Sequence, residues 1–473
     1  MLALAFAIAA ASFAAQSAAQ FYGQPEQIHI SYGGAPNKMW ITWVTLSPTK
    51  ATEVEYGTTS LNRRATGSST PFVDGGIEQR EIHVHRVLLD TLSPGKSYLY
   101  HVGSSVDGWS SVYFFTTLKE GREAQDGLTY AVLGDLGNVN PVSLPSLQQE
   151  AQRGTIDIAL HIGDFAYNFA TDNGTFGDQY MRQIEPLAAY VPYMAVVGNH
   201  EHAYNFSNYA NRFTMPSEGL TAASAHTPNN FFYSFDVGST HFIAFSTEFY
   251  YYTEYGLGQM RRQFEWLEQD LARAQANRKN VPWIITMGHR PMYCSNWDGD
   301  DCTKYESLVR GGFAPFHLYA LEPLFYRYGV DLEIYAHEHS YERLWPVYNR
   351  TVFNGTVDAY TNPPAPVHVI TGSAGCQEKT DRFLPFPGPW SAFRSSDYGY
   401  ARLKVHNATH LSFEQISINK GGRVIDSITL VRDTHGPYDA SRLGEGHRVP
   451  ETYRHPLDTQ RVVHDDGPRR GSY

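Results

Sequence analysis

The sequence predicts an all-β sandwich followed by a layered α/β domain in which β-sheets are flanked by helices. From residue 22 to about 118, apolar and polar residues alternate with a period of two between Gly, Pro, Ser and Asn turns. Beyond residue 127 the alternation gives way to short continuous apolar runs, some of them separated by stretches of helical spacing. The charged, apolar-poor segment LKEGREAQDG, residues 118–127, divides the two patterns. A chain of 473 residues also exceeds what one ordinary core accommodates. The expected divisions are a leader over 1–19, the sandwich over 20–118, the α/β domain with a C-terminal strand segment over 119–432, and a flexible polar tail over 433–473.

The opening MLALAFAIAAASFAAQSAA is an alanine-rich apolar run of signal-peptide length, with Ser17 and Ala19 as small residues ahead of a cut at Gln20. It is short, diluted by Ser and Gln, and no later stretch is apolar enough to span a bilayer, so a secreted or lumenal protein (extracellular or lysosome-like) without stable membrane insertion is expected. Sequons at Asn173, Asn205, Asn349, Asn354 and Asn407 fit that route as N-glycan sites. Cys294 and Cys302 bracket the loop SNWDGDD and could pair in an oxidising compartment, which leaves Cys376 odd.

In the first domain, QIHISYG, KMWITWVT, ATEVEYG, REIHVHRVLL, SYLYHVGS and SVYFFTT read as strands of a small antiparallel sandwich. Trp40 and Trp43, with Tyr98 and Tyr100 after the LSPGK turn, make it similar to a fibronectin type III module. It offers no convergent acid, base or metal cluster, so its expected role is support or recognition.

In the second domain the apolar runs end abruptly: LTYAVLGD, IDIALHIGD, PYMAVVGNH, PWIITMGH and VDLEIYAH. HFIAFSTE and APVHVITGSAG supply further strands. Met260, Phe264, Leu267 and Leu271 recur at helical spacing in GQMRRQFEWLEQDLARAQANRK. Ligands of open α/β sheets gather outside the carboxyl ends of the strands. The residues just past the apolar runs are therefore the candidates for a site: Asp135; Asp164 with Tyr167; Asn199 with His200; His289; His337 with His339. Each can bind a metal or handle a proton, and five strand ends that all carry such donors are not a pattern that solvated loops produce.

Carboxylate, phenol and amide oxygens are hard, imidazole is borderline, and no cysteine joins them, which excludes zinc-finger and iron–sulfur chemistry. A phenol binds as phenolate only beside a strongly acidic ion, for which Fe(III) is the usual candidate. The donors exceed what one tetrahedral ion needs and suit two ions that share a carboxylate and grip a phosphoryl oxygen. The formal charge of −11, with scattered basic residues, argues against a nucleic-acid or anionic-membrane partner. In such a site the metal ions themselves would attract an anion.

The blocks GDLG, GDFAY, GNHE, GHRP and AHEHSYER, in this order from 134 to 343, resemble those of the purple acid phosphatases, within the calcineurin-like metallophosphoesterases. The resemblance covers roughly 22–430, including a fibronectin-like domain in front and a strand segment like DYGYARLKVHNATHLSFEQ behind. It implies Fe(III) on Asp135, Tyr167 and His339, Asp164 as a bridge, and divalent Zn, Fe or Mn on Asn199, His289 and His337. His200 would contact phosphate and help the leaving oxygen depart, and Tyr167 would give the protein its colour. The implied activity is acid hydrolysis of phosphate monoesters, on a small molecule or a phosphoprotein, by a metal-activated hydroxide. A phosphodiesterase or nucleotide pyrophosphatase on the same metals, and a noncatalytic metal-binding ectodomain, are the alternatives.

Two positions depart from the family pattern. Ala336 stands where the last block usually begins with Gly, and a small backbone adjustment is expected. Many members also carry a further histidine nine or ten residues beyond the one matching His289, where this chain has Asp298 and Gly299; His202, Asp298 or Arg290 would have to replace it. Of the neighbours, His161 reads as a histidine that is packed or that supports a ligand from behind, and not as a ligand itself. Glu201, Tyr341, Glu342 and Arg343 are expected to orient the ligating histidines, with a plain salt bridge as the alternative for Glu342 and Arg343.

Overall fold

The computed structural model describes residues 22–121, 127–216, 230–297, 299–355 and 358–450. The alternating N-terminal stretch folds into two antiparallel sheets. One has the strand order Glu26–Tyr32, Met39–Thr45, Glu81–Leu89, Ser68–Val73; the other runs Arg63–Thr66, Glu53–Gly57, Ser97–Ser104, Gly108–Trp109, with Tyr113–Thr116 also paired to Ser97–Ser104. Inward side chains of both, among them Ile41, Trp43, Val54, Tyr98, Tyr100 and Phe115, make one core. Trp43 stacks on His85 with ring centroids 5.0 Å apart, whereas Trp40 is only half-buried. Arg63–Thr66 and Ser68–Val73 escape sequence reading because RRAT and SSTPFV are mostly exposed and carry no apolar alternation.

The second domain packs two mixed sheets around a continuous core. The six-stranded sheet has the order Tyr193–Val196, Ile158–Ile162, Thr129–Leu133, Gly399–Val405, His410–Ser417, Arg423–Val431; its first three strands are parallel and the rest antiparallel. The seven-stranded sheet runs Tyr233–Val237, Thr240–Ala244, Trp283–Met287, Leu332–Tyr335, Val367–Thr371, Tyr341–Leu344, Ser391–Ser395, and the consecutive pairs from Thr240–Ala244 to Val367–Thr371 are parallel. Tyr130 of one sheet meets Phe242 of the other with ring centroids 4.9 Å apart. The strands Ile158–Ile162, Tyr193–Val196, Trp283–Met287 and Leu332–Tyr335 are buried throughout, which is why they read as nearly continuous apolar runs, interrupted only by His161, Thr286 and Glu333. Helix Gly258–Ala276 turns Met260, Leu267 and Leu271 inward, and Phe264 is partly buried.

Helix Thr175–Ala188 lies between the domains. Its Glu185 accepts from the Ile28 amide at 3.0 Å and from the Tyr113 hydroxyl, and its Arg182 meets Glu26 at 2.7 Å. Buried Arg212 joins Asp178 at 2.8 Å and the Gln27 amide oxygen at 3.0 Å. The junction is therefore held by polar contacts of charged side chains, with Arg182–Glu26 an ion pair between the domains.

The flexible tail expected from 433 is corrected as far as 450. Tyr438 donates to the Val330 carbonyl at 2.8 Å and stacks on Tyr326, His447–Arg448 pairs with Thr351–Val352, and Val449 is buried. Such a strap docks by backbone pairing and single anchors, so it carries no periodic apolar signature. Residues 1–19 and 451–473 lie outside the described residues.

Candidate metal centre

The strand ends converge as the sequence pattern requires. Thr129–Leu133 delivers Asp135, Ile158–Ile162 delivers Asp164 and Tyr167, Tyr193–Val196 delivers Asn199 and His200, Trp283–Met287 delivers His289, and Leu332–Tyr335 delivers His337 and His339. The chain turns sharply as it leaves each sheet. Asp135, Asp164, Tyr167 and His337 all sit in the left-handed region, at φ of 58°, 55°, 54° and 69°, conformations that persist only where surrounding structure over-determines them. Gly198 permits the closest approach: a Cβ there would lie 2.2 Å from Asp164 Oδ1.

On one side of the site, the Tyr167 hydroxyl lies 3.1 Å from Asp135 Oδ1 and 2.7 Å from His339 Nε2. On the other, His289 Nε2 lies 3.2 Å from Asp164 Oδ2 and 3.0 Å from Asn199 Oδ1. Asp164, His289 and His337 each offer one ligand atom, all within 4.8 Å of one another. Asp164 also accepts from the His200 amide at 2.9 Å, and its other oxygen is 3.9 Å from His200 Nε2. The His200 ring packs 4.1 Å from Tyr167, and its Nδ1 meets Asn168 Oδ1 at 2.8 Å.

Burial and mutual charge set the protonation of this cluster. Burial opposes the His289 imidazolium, but the Asp164 carboxylate outweighs it and lifts the ring to about 10. Burial likewise opposes the charged Asp164; His289 and His200 outweigh it and hold the carboxyl well below its usual range. Burial, then Asp135, pushes the Tyr167 phenol far up, so a phenolate there requires a cation beside it. Hard oxygens of two carboxylates, a phenol and an amide, interleaved with imidazoles, are a donor set that fits one strongly acidic ion and one borderline divalent ion.

Glu201, expected to orient a ligating histidine, instead holds backbone: its carboxyl group accepts from the amides of Asp164, Phe165 and Gly198, each at 3.0 Å. Burial, then Asp164, lifts its carboxyl to about 8. Tyr341 and Glu342 do otherwise than expected, and Arg343 takes the salt-bridge alternative, with Asp426. Tyr341 and Arg343 both anchor on Asp426, at 2.8 Å and 2.7 Å, and Glu342 accepts from the Ser295 amide and hydroxyl at 2.8 and 2.6 Å. Their alternating strand positions aim them at neighbouring strands and loops. His161 is packed, against Phe165 and the Tyr193 hydroxyl. The Ala336 Cβ faces Gly134, whose missing side chain makes room for it.

Of the candidates for the missing histidine, Asp298 lies outside the described residues. His202 stacks on Tyr252 and turns Nδ1 to the Asn199 carbonyl at 2.7 Å. Arg290 reaches the site, with Nη1 3.0 Å from His337 Nε2. Sequence reading missed Asp300, whose carboxylate meets His337 Nε2, and Glu248, which pairs with Arg290 at 2.9 Å. It also missed Asn168 and Glu378, the latter 3.8 Å from His200 Nε2. Only Asp300 had a visible signal, as an acid of the DGDD run between the two cysteines. Cys294 and Cys302 form a disulfide, and Cys376 is buried with Sγ 3.6 Å from His339 Nδ1.

This arrangement has counterparts in known proteins. Residues 128–341 match the calcineurin-like phosphoesterase family, 25–117 the purple acid phosphatase N-terminal domain, and 365–427 the iron/zinc purple acid phosphatase-like C region. The chain belongs to the purple acid phosphatases. Among relatives of this family, acid phosphatase type 7 of Danio rerio is 55% identical over 429 residues, covering 88% of this chain and 93% of the relative. The Homo sapiens counterpart is 52% identical over 418 residues, covering 87% and 92%. Among solved structures, the purple acid phosphatase PPD1 from yellow lupin (Lupinus luteus) seeds superposes with a TM-score of 0.71 at 25% identity, covering 87% of this chain and 75% of that one.

Proposed function

We propose that this purple acid phosphatase is a secreted or lumenal enzyme that hydrolyses phosphate monoesters at a centre of Fe(III) and a divalent Zn, Fe or Mn ion. The observation that carries this reading is the convergence of Asp135, Tyr167 and His339 on one side of Asp164 with Asn199, His289 and His337 on the other. Asp135, Tyr167 and His339 would hold Fe(III), Asp164 would bridge, and Asn199, His289 and His337 would hold the divalent ion. When bound, the ions would polarise phosphoryl oxygens and lower the pKa of water.

The chain's own residues do the rest. His200 gives its Nδ1–H to Asn168 Oδ1, so only its imidazolium form, which burial disfavours by lowering the ring to about 4, carries the Nε2 proton that a departing oxygen could take. Arg290, fixed by Glu248, supplies positive charge beside His337. The relatives that carry the name acid phosphatase favour a monoester substrate. A secreted or lumenal site is favoured by the Cys294–Cys302 disulfide and by the exposure of the sequon asparagines Asn205, Asn349, Asn354 and Asn407; Asn173 is half-buried.

Purified protein is expected to carry iron and a second metal, to absorb in the visible, and to lose that band in Tyr167→Phe. It should cleave an aryl phosphate monoester faster than the matching diester. A colourless protein with two zinc ions overturns the iron assignment alone. Faster diester cleavage overturns the substrate class, and two bound metals with no cleavage from about pH 4 to 8, the span where acid and His groups titrate, overturns the enzymatic reading.

A further inference from the structure

We infer that Asp300 is a positioning residue: through its contact with His337 Nε2 it makes Nδ1 the nitrogen that His337 presents to the divalent ion. The inference rests on the dinuclear reading above and adds a residue to it. A neutral imidazole has one N–H and one lone pair, so whatever accepts the N–H decides which nitrogen can ligate.

The histidines of the site answer that question differently. His289 turns Nδ1 to the Ile162 carbonyl at 2.8 Å, which leaves Nε2 toward Asp164 and Asn199. His339 turns Nδ1 to the Lys379 carbonyl at 2.9 Å, which leaves Nε2 toward Tyr167 and Asp135. His337 is reversed, with Nε2 against the Asp300 carboxylate. Arg290 Nη1 also lies 3.0 Å from that nitrogen, but a guanidinium donating there would leave the carboxylate facing a lone pair. The arrangement that satisfies every group has Nε2–H donate to Asp300 while Arg290 pairs with carboxylates: Glu248 at 2.9 Å and Asp300 Oδ1 at 3.6 Å.

Asp300 is itself held. Its Oδ1 accepts from the Asp301 amide at 2.8 Å and so caps the short turn Asp301–Thr303, whose Cys302 is bonded to Cys294. Arg290 packs 4.3 Å over the Tyr251 ring, with buried Glu248 behind it. A relay Glu248–Arg290–Asp300 thus ends on His337, and an outer carboxylate of this kind orients a ligating ring and raises its basicity.

The test reads the tautomer and the metal separately from activity. In metal-free protein labelled with 15N-histidine, long-range 1H–15N spectra should give His337 as the neutral Nε2–H form, with that preference lost in D300N. Zinc titration of the iron-loaded protein should give binding about 10–100-fold weaker in D300N, with iron content and thermal midpoint unchanged. A His337 Nδ1–H tautomer in the wild-type chain, or wild-type zinc affinity in folded D300N, overturns the role of Asp300 alone. A wild-type chain that takes up only one ion overturns the dinuclear reading and this inference with it.

Discussion

His289 and His339 are turned by main-chain carbonyls, those of Ile162 and Lys379, whereas His337 is turned by a carboxylate at the end of the Glu248–Arg290–Asp300 relay. A carbonyl is fixed by the fold and cannot be removed by a point substitution. A side chain can be exchanged, lengthened or uncharged without touching the sheet. The site therefore has a part set by the fold and a part open to adjustment, and the adjustable part lies on the side proposed for the divalent ion.

The largest effect is expected where the two sides meet. Asp164→Asn should remove both metals and bring turnover to background, read by metal analysis and phosphate release; retention of either ion at full occupancy would show that the sides are independent. Next, His200→Ala should lower kcat by about 10²–10⁴-fold while leaving metal content unchanged, because His200 touches Asp164 only through its amide and a 3.9 Å approach of its ring. A fall in metal content would make His200 structural instead. Glu248→Gln should act on the adjustable side alone, weakening zinc binding by about tenfold, the lower end for outer carboxylates, with the visible band intact; a lost band would erase the distinction between the sides.

The smallest effect is one of stability, remote from the metals. His241 sits between Asp236 at 2.6 Å and Asp270 at 2.9 Å. Burial opposes its charge, but these carboxylates outweigh it and lift the ring to about 9. A raised histidine stabilises fully below its unfolded pKa of about 6.5 and loses that contribution as pH rises through about 9. His241→Gln should therefore destabilise by at most about 3 kcal/mol near pH 6 and by little near pH 10. Equal loss at both pH values in denaturant titrations would refute the ion-pair origin.

The parallel strands and their donors were legible because buried strands leave nearly continuous apolar runs, and a polar residue at the end of each run stands out. Asp135, Asp164, Tyr167, Asn199, His289, His337 and His339 were all found by that contrast. Asn168 and Glu378 lie in loops without period, where an acid or amide looks like any turn residue, and Asp300 showed only as one acid of the DGDD run. Tyr341 was misread because its partner, Asp426, lies on a strand 85 residues away, a pairing that only the fold creates. The strap from 433 to 450 was misread because its hold is backbone pairing and isolated anchors such as Tyr438 and Val449.

The strand that carries Asp135 toward the site, Thr129–Leu133, has Ile158–Ile162 on one side and Gly399–Val405 on the other. During synthesis its second neighbour emerges only after roughly 270 further residues, a delay of about 14–54 s at 5–20 residues per second. Until then an edge rich in buried-type residues stands open. The nascent chain has to be shielded from other chains across that interval, and a truncation before Gly399 would make the exposure permanent.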